Sequence, residues 1–239
     1  MKKLVCNLKS AIEYKAMKRL MKNLQDFSKS DIEIIIAPPY PFINMVNKCF
    51  VRASQDISSR QESYAVGEVT GNILKSLDTK YVIVGHSDRQ ARHGEKEEDF
   101  VEKINNALKN GMKVVYCIGE SREEKLAGQT LVVIEQKIAR VLNNIEGDLR
   151  NIIIAYEPIW AISNAKNESD NFSLKEMAES IAFIKKIVKD YYDFDIEVLY
   201  GGSVCENNIE TLREIQSDGY LVGKASLEAE SIKKMANKM

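Results

Sequence analysis

Short apolar runs alternate with amphipathic stretches from one end of the chain to the other. Several runs are continuous in Val and Ile rather than alternating with polar residues, which is typical of strands buried on both faces of a parallel sheet. The runs occupy residues 4–6, 32–37, 51–54, 81–84, 114–118, 152–155, 196–199 and 220–222. The sequence therefore predicts eight strands.

Apolar residues spaced three and four apart lie between these runs and mark one side of an α-helix. The predicted helical stripes span 17–27, 101–108, 131–142 and 181–191, with shorter helices at 73–77, 209–215 and 227–235. Eight strand–helix units without a Pro- or Gly-rich linker predict one α/β domain over 1–239, a (β/α)8 TIM barrel, whose typical length is about 250 residues. An open doubly wound sheet is the alternative, although residues 6–9 (CNLK) lack its usual Gly-rich first turn.

Composition and charge exclude several classes of partner. The chain has 239 residues, with 34 Lys and Arg against 35 Asp and Glu, so its formal net charge is −1. Charges of both signs are interspersed, as on solvated helix faces, whereas a nucleic-acid binder usually concentrates a basic excess. No stretch approaches the roughly 20 apolar residues of a membrane span. We therefore expect neither nucleic acid nor a membrane as a partner.

Cysteine spacing and the first residues indicate the compartment. The four cysteines are far apart and form no C-x-x-C pair, which argues against a disulfide scaffold or a cysteine metal site. Cys6, Cys117 and Cys205 lie within or just after apolar runs, so we expect them to be buried. The three-residue apolar run near the start is too short for a signal peptide. The sequence thus predicts a cytoplasmic protein.

In either fold, catalytic residues belong at the carboxyl ends of the strands. Asn7 and Lys9 follow the first run, and Lys9 could neutralise an anion. His86 follows the fourth run and precedes Ser87 and Asp88, which are common helix N-cap types. The positive end of a helix dipole would keep this imidazole neutral and able to donate to a carbonyl oxygen. A solvated lysine and a structural core histidine are the alternatives.

Glu157 is a lone carboxylate at the end of the sixth run. Pro158 follows it, and then a mostly apolar segment that contains Trp160, the only tryptophan. An apolar cover desolvates a carboxylate and makes it a stronger base, as general base catalysis requires. The alternative is a structural glutamate paired with a cation.

Glycine-containing loops follow the seventh and eighth runs, at residues 201–204 (GGSV) and 223–226 (GKAS). Glycine before a helix lets backbone amides converge on an anion, and in a barrel these two loops frequently form a phosphate site. One Lys, one neutral His, one Glu and a phosphate site would then share one end of the barrel. This set suits proton transfer next to the carbonyl of a small phosphorylated metabolite.

Six motifs make the sequence resemble the triosephosphate isomerases along nearly its whole length. They are 7–9 (NLK), 84–87 (VGHS), 117–120 (CIGE), 155–162 (AYEPIWAI), 200–204 (YGGSV) and 221–227 (LVGKASL). The resemblance implies interconversion of dihydroxyacetone phosphate and D-glyceraldehyde 3-phosphate through an enediolate, in glycolysis and gluconeogenesis, with no cofactor and no metal. A metal-dependent phosphosugar epimerase and a phosphometabolite-binding barrel with little catalysis are the rival interpretations.

The resemblance also assigns roles to residues. Glu157 matches the base that moves the proton, His86 the electrophile that polarises the carbonyl, and Lys9 the cation near the substrate. Glu95 and Glu120 match family positions with supporting roles. The substrate-binding residues implied by the motifs are Asn7, Lys9, Ser163, Gly202, Ser203, Gly223 and Lys224.

Members of the family are generally homodimers, in which the loop after the third strand enters the partner subunit. Here that loop runs from Gln61 to Glu68, and the lid that follows the base would span residues 158–166. The chain departs from the family pattern at Ser163-Asn164-Ala165 in the lid, at Lys224 for a glycine, at Asp88 for a glutamate and at Gln90 for an arginine. None of these removes a proton-transfer group, so we expect activity with an unusual lid and phosphate site.

Overall fold

A closed parallel barrel forms the centre of the computed structural model, which describes residues 1–60, 64–159 and 173–239. β1 pairs with both β2 and β8, which closes the sheet. The predicted (β/α)8 barrel is thereby confirmed, and the open doubly wound sheet is excluded. The strands are β1 (Lys2–Asn7), β2 (Ile32–Ala37), β3 (Val51–Ser54), β4 (Tyr81–Val84), β5 (Lys113–Ile118), β6 (Ile152–Tyr156), β7 (Val198–Tyr200) and β8 (Gly219–Val222).

Apolar side chains cover both faces of the strands, as the continuous Val and Ile runs predict. Alternate residues belong to two separate clusters because successive side chains of a strand point to opposite faces. Leu4 and Cys6 pack in the larger cluster with the helices, whereas Val5 lies in the smaller one. That smaller cluster also contains Ile35, Ala53, Ile83, Val115, Cys117, Ile153, Ala155, Leu199 and Leu221.

Helices surround the barrel, and their buried residues follow the predicted stripes. Ile134, Ile138 and Val141 form the buried side of α6, for example. Within the described residues the α-helices are α1 (Tyr14–Asn23), α2 (Gly71–Ser76), α3 (Ser87–His93), α4 (Glu97–Lys109), α5 (Arg122–Leu126), α6 (Thr130–Leu142), α7 (Leu174–Tyr192) and α8 (Ala229–Lys238). Short 3-10 helices span Tyr40–Met45, Leu149–Asn151, Thr211–Ile215 and Lys224–Leu227.

Several predicted boundaries differ from the structure by one or two residues, and three elements differ in a way that has a physical reason. The seventh strand begins and ends later than 196–199, because Tyr200 still pairs with Tyr156 and Tyr220. The predicted helix over 209–215 is a 3-10 helix over Thr211–Ile215. The first stripe overran its helix, since α1 ends at Asn23 and Phe27 packs on the core from beyond it. The apolar spacing beyond Asn23 therefore reflects packing against the core and does not indicate a helix.

The thiols are only partly as predicted. Cys6 and Cys117 are buried, whereas Cys205 is half-buried and Cys49 is exposed. Burial raises the pKa of the Cys6 thiol to about 12, so this thiol stays protonated and unreactive at neutral pH. Among the described residues, no helix has the length and apolar character needed to cross a bilayer.

Candidate active site

A cavity of about 1010 Å³ opens at the carboxyl ends of the strands. It lies where barrel enzymes hold their catalytic groups, because the loops that follow the strands converge there. Ser163 and all but the first two residues of the predicted lid lie outside the described residues. The predicted residues that line the cavity are Asn7, Lys9, His86, Glu157, Ser203, Gly223 and Lys224.

Glu157 extends from the end of β6 into this cavity and is only 4% exposed. Its backbone N–H donates to the Ile118 carbonyl on β5 (2.7 Å), which fixes the backbone from which the side chain extends. Its Oε1 lies 3.8 Å from Nε2 of His86. Its Oε2 is buried and has no hydrogen-bond partner among the described residues. A desolvated carboxylate oxygen without a donor is available to accept a proton.

His86 is itself the N-cap of α3. The sequence pointed to Ser87 or Asp88 as the cap, but the backbone N–H of Asp88 donates to Nδ1 of His86 (3.1 Å). An imidazole nitrogen that accepts a hydrogen bond carries no proton, so the proton lies on Nε2. Nε2, the nitrogen that then carries the N–H, is the one on the side of Glu157.

Lys9 has a left-handed backbone, with φ of 49°. Two hydrogen bonds hold this unfavourable conformation: the Lys9 N–H donates to Asn7 Oδ1 (3.1 Å), and Gln55 Nε2 donates to the Lys9 carbonyl (2.9 Å). A non-glycine residue held at positive φ is costly and is typical of functional sites. Asn7 therefore shapes the loop that directs Lys9.

The Lys9 ammonium pairs with Asp88, 3.1 Å from Oδ2. The aspartate therefore reaches Lys9 although it is one methylene shorter than the glutamate of the family pattern. Partial burial works to raise the pKa of Asp88, but the hydrogen bond and charge of Lys9, with smaller contributions from His86 and Arg92, hold it below its ordinary value. Asp88 thus connects the loop after β1 to the helix that carries His86.

The loops after β7 and β8 contribute Gly201, Ser203, Gly223 and Lys224 to the cavity wall. Ser203 is exposed and left-handed, with φ of 46°, and its carbonyl accepts from Asn208. Lys9 passes over Gly223, because a Cβ at position 223 would lie 3.6 Å from Lys9 Cε. Lys224 is exposed and opens the 3-10 helix Lys224–Leu227. Gly223 thus exposes bare backbone next to the Lys9 side chain in the cavity wall, and Lys224 follows it in the chain.

Gly202 is buried and does not line the cavity, in contrast to the other predicted residues of these loops. A Cβ at this position would overlap the hydroxyl of Tyr200, so glycine is needed for the backbone to pack on that ring. Gly201, which the sequence did not single out, lines the cavity instead. A Cβ there would lie 2.5 Å from Cγ and 3.0 Å from Oε1 of Glu157.

Cys117 contacts the carboxylate of Glu157, which the sequence did not indicate. Burial raises the pKa of the Cys117 thiol well above its ordinary value, and the charge and hydrogen bond of Glu157 add to this. The thiol therefore remains a neutral donor beneath the carboxylate. Cys117 pairs with Ala155, two residues before Glu157, and this register, which the sequence does not give, brings the thiol to the carboxylate.

The two supporting glutamates lie in separate polar clusters. Glu120 is fully buried and accepts from the Tyr156 hydroxyl (3.1 Å). Glu95 accepts from Arg89 and from Lys103, and the same two cations pair with Asp56. Because Arg89 belongs to α3, this second cluster fixes the helix that His86 caps. The described residues contain no group of His, Cys, Asp and Glu arranged to bind a metal ion.

Barrel and site together define a (β/α)8-barrel enzyme in which a buried carboxylate and an imidazole meet in a cavity that also holds the Lys9 side chain. Such a site suits proton transfer on a small anionic substrate. The family model described as triosephosphate isomerase matches residues 2–239. The chain belongs to the triosephosphate isomerase family, and it is an isomerase that interconverts triose phosphates.

Curated relatives agree with this assignment. The chain is 34% identical over 213 residues to the triosephosphate isomerase of Alkaliphilus oremlandii, covering 84% of each chain. It is 33% identical to that of Neurospora crassa, covering 91% of this chain and 90% of the relative. It is 37% identical to that of Mycoplasmopsis pulmonis, covering 84% and 80%. The resemblance seen in the sequence motifs is confirmed.

Proposed function

We propose that Glu157 is the base that moves a proton between the two carbons of dihydroxyacetone phosphate and D-glyceraldehyde 3-phosphate. The separation of 3.8 Å between Glu157 Oε1 and His86 Nε2 in one buried site carries this proposal. Glu157 takes the proton from C1 of the ketose, the C–H electrons form the enediolate, and the same carboxylic acid returns the proton to C2. C1 is oxidised and C2 is reduced within the same molecule, so the proposed reaction balances without an external oxidant, reductant or cofactor.

His86 is proposed as the electrophile of this reaction. Its Nε2–H donates to the substrate carbonyl and stabilises the oxygen charge that develops as the carbon loses its proton. The same nitrogen then exchanges protons between the two oxygens of the enediolate. The Asp88 N–H on Nδ1 supports this role, because it holds the ring in the tautomer that can donate from Nε2.

Lys9 is proposed as the cation that stabilises both the enediolate and the substrate phosphate. Its ammonium lies against Asp88 on the His86 side, and its Cε lies near Gly223 on the phosphate side. Asn7 acts through the Lys9 backbone. Ser203 and Gly223 are proposed to offer backbone N–H groups to the phosphate, while Gly202 and Ser163 remain predicted members of the same site.

A coupled assay tests the activity directly. We expect the purified chain to convert dihydroxyacetone phosphate into D-glyceraldehyde 3-phosphate, followed by coupling to a dehydrogenase, at a rate that EDTA leaves unchanged. Binding of the substrate without turnover would instead support a phosphometabolite-binding barrel. Turnover abolished by EDTA would support a metal-dependent enzyme.

Lys224→Gly is expected to raise KM for the phosphorylated substrates by about threefold to tenfold and to change kcat little. An exposed ammonium beside a phosphate supplies binding energy that the ground state and the transition state share, so its loss appears in KM. Steady-state kinetics at two ionic strengths measure this, because added salt should shrink the difference. An unchanged KM would show that Lys224 makes no contribution, and Lys234→Gly, at another exposed lysine of the cavity wall, is the matched control.

We propose that the protein is a homodimer through the loop at residues 61–68. The described part of this loop supports the proposal, because Tyr64 is 97% exposed and Val66 is fully exposed. Adjacent apolar side chains at a loop tip are costly in water and are typical of an interface.

A single domain over 1–239 and a cytoplasmic location are also proposed. The buried, free thiols of Cys6 and Cys117 support the cytoplasmic location.

Sedimentation velocity tests the dimer. The native chain is expected to sediment at about twice its monomer mass of 27.1 kDa, and the double variant Tyr64→Ser, Val66→Asp is expected to sediment as a monomer at micromolar concentration. Leu126 is also highly exposed, on α5, so Leu126→Asp serves as the control and should stay dimeric. A native monomer, or a double variant that remains dimeric, would contradict this interface.

A further inference from the structure

Lys137 on α6 places an ammonium group beneath the loop that follows β5. Its Nζ donates to the Gly119 carbonyl at 2.6 Å. Burial lowers the pKa of Lys137, whereas the charges of Glu124, Glu97 and Glu120 act in the opposite direction and Arg140 acts with burial. The mechanism above assigns this lysine no role, although desolvating a cation is costly unless a strong hydrogen bond compensates.

The peptide that Lys137 holds packs directly on the backbone of Glu157. A Cβ at Gly119 would overlap the Glu157 carbonyl, so these two chain segments are in contact with no side chain between them. The neighbours of Gly119 also hold the segment on each side: the Glu157 N–H donates to the Ile118 carbonyl (2.7 Å), and the Ile159 N–H donates to the Glu120 carbonyl (3.1 Å). Any shift of the 118–120 peptides is therefore passed to Glu157.

α6 is fixed to β5 at the same residue. The Tyr116 hydroxyl donates to the Lys137 carbonyl at 3.3 Å, so the backbone of the lysine is tied to the strand whose end its side chain supports. The Lys137 side chain thus extends from the middle of α6 to the loop after β5. Because the Lys137 backbone is held by Tyr116, its short, charged hydrogen bond restricts the Gly119 carbonyl to one orientation.

We propose that Lys137 is a positioning residue for the proton transfer, acting through Gly119 on the backbone of Glu157. This rests on the proposed role of Glu157 as the base. The ammonium fixes the plane of the Gly119 peptide, the 118–120 segment fixes both ends of residues 157–159, and the carboxylate keeps its distance from the substrate carbon. Displacement of a reacting group by about 1 Å can cost about 100-fold in rate, even when its cause is remote.

Lys137→Met removes the donor but keeps the length of the side chain. We expect it to lower kcat by about tenfold or more while KM and the Ki of inorganic phosphate change less than about twofold, because the phosphate-facing loops follow β7 and β8. Lys137→Arg keeps a charged donor and is expected to restore kcat to within about threefold. Lys185→Met is the matched control, since Lys185 also donates to a backbone carbonyl, that of Gln216, before β8.

A structural role alone would lower the melting temperature of Lys137→Met and leave kcat of its folded fraction intact, and that result would overturn the proposal. Equal losses in the Met and Arg variants would overturn it as well. The double variant with Glu157→Asp separates this from the proposed base: if Lys137 acts through Glu157, its effect shrinks in that background. If Glu157→Asp alone leaves kcat unchanged, the assignment of the base has failed instead.

Discussion

Glu157→Asp is expected to lower kcat by about 100- to 1000-fold, with KM for dihydroxyacetone phosphate within a few fold of the native value. The shorter side chain withdraws the carboxylate from the substrate carbon, and proton transfer depends steeply on that distance. The contacts that we propose for His86 and Lys9 with the substrate oxygens are unaffected, so we expect binding to persist. The coupled assay at saturating substrate measures kcat, and competition by inorganic phosphate reports the intact binding site.

Glu228→Asp is the control for this substitution. Glu228 lies in the wall of the same cavity and is exposed, so the same chemical change there should leave kcat within about twofold, as for most surface positions. Turnover by Glu157→Asp at a near-native rate would show that another group takes the proton. Hydrogen exchange gives the same information, because solvent tritium should enter the substrate more slowly in the variant.

Gly201→Ala is expected to lower kcat by about 100-fold with little effect on folding. The added methyl group would lie 2.5 Å from Glu157 Cγ and 3.0 Å from Oε1, which is far inside van der Waals contact. The Glu157 side chain is the part that can move, so the variant displaces the carboxylate from His86 rather than disrupting the barrel. Kinetics and a thermal melt on the same sample distinguish the two effects.

Gly147→Ala provides the matched comparison. A Cβ there would crowd the side chain of Leu108 at 2.7 Å, before β6 and away from the cavity. It should reduce the melting temperature while kcat stays native. If Gly201→Ala behaves in the same way, with lower stability and full turnover, the carboxylate tolerates displacement and the close approach at position 201 has no catalytic meaning.

The barrel could be predicted because burial on both faces leaves an unmistakable pattern. The runs over Ile32–Ala37, interrupted only by Glu33, and over Tyr81–Val84 are apolar, and the structure has strands with those bounds. The boundaries that failed depend on tertiary contacts. Tyr200 extends β7 because it finds partners on two neighbouring strands, and Phe27 is half-buried against the core without being helical.

The candidate site also has residues that the sequence predicts and contacts that only the structure shows. Lys9, His86 and Glu157 stand directly after strands, so the topology rule alone brings them to one cavity. Contacts between distant segments could not be predicted from residue type. In the sequence, Cys117 resembles an ordinary core residue, Lys137 an ordinary helix residue and Gly201 part of a phosphate loop. Only the packing places Cys117 and Gly201 against the Glu157 side chain, and Lys137 on the Gly119 carbonyl.

The left-handed backbone at Lys9 gives position 9 two opposed requirements. Glycine is the residue that this conformation favours, and replacing a strained side chain with glycine generally relieves about 1 kcal/mol or more. Lysine is the residue that the proposed chemistry needs. Selection for a more stable fold and selection for turnover therefore act on this position in opposite directions, and a search for stabilising substitutions guided by backbone geometry alone would remove the cation from the site.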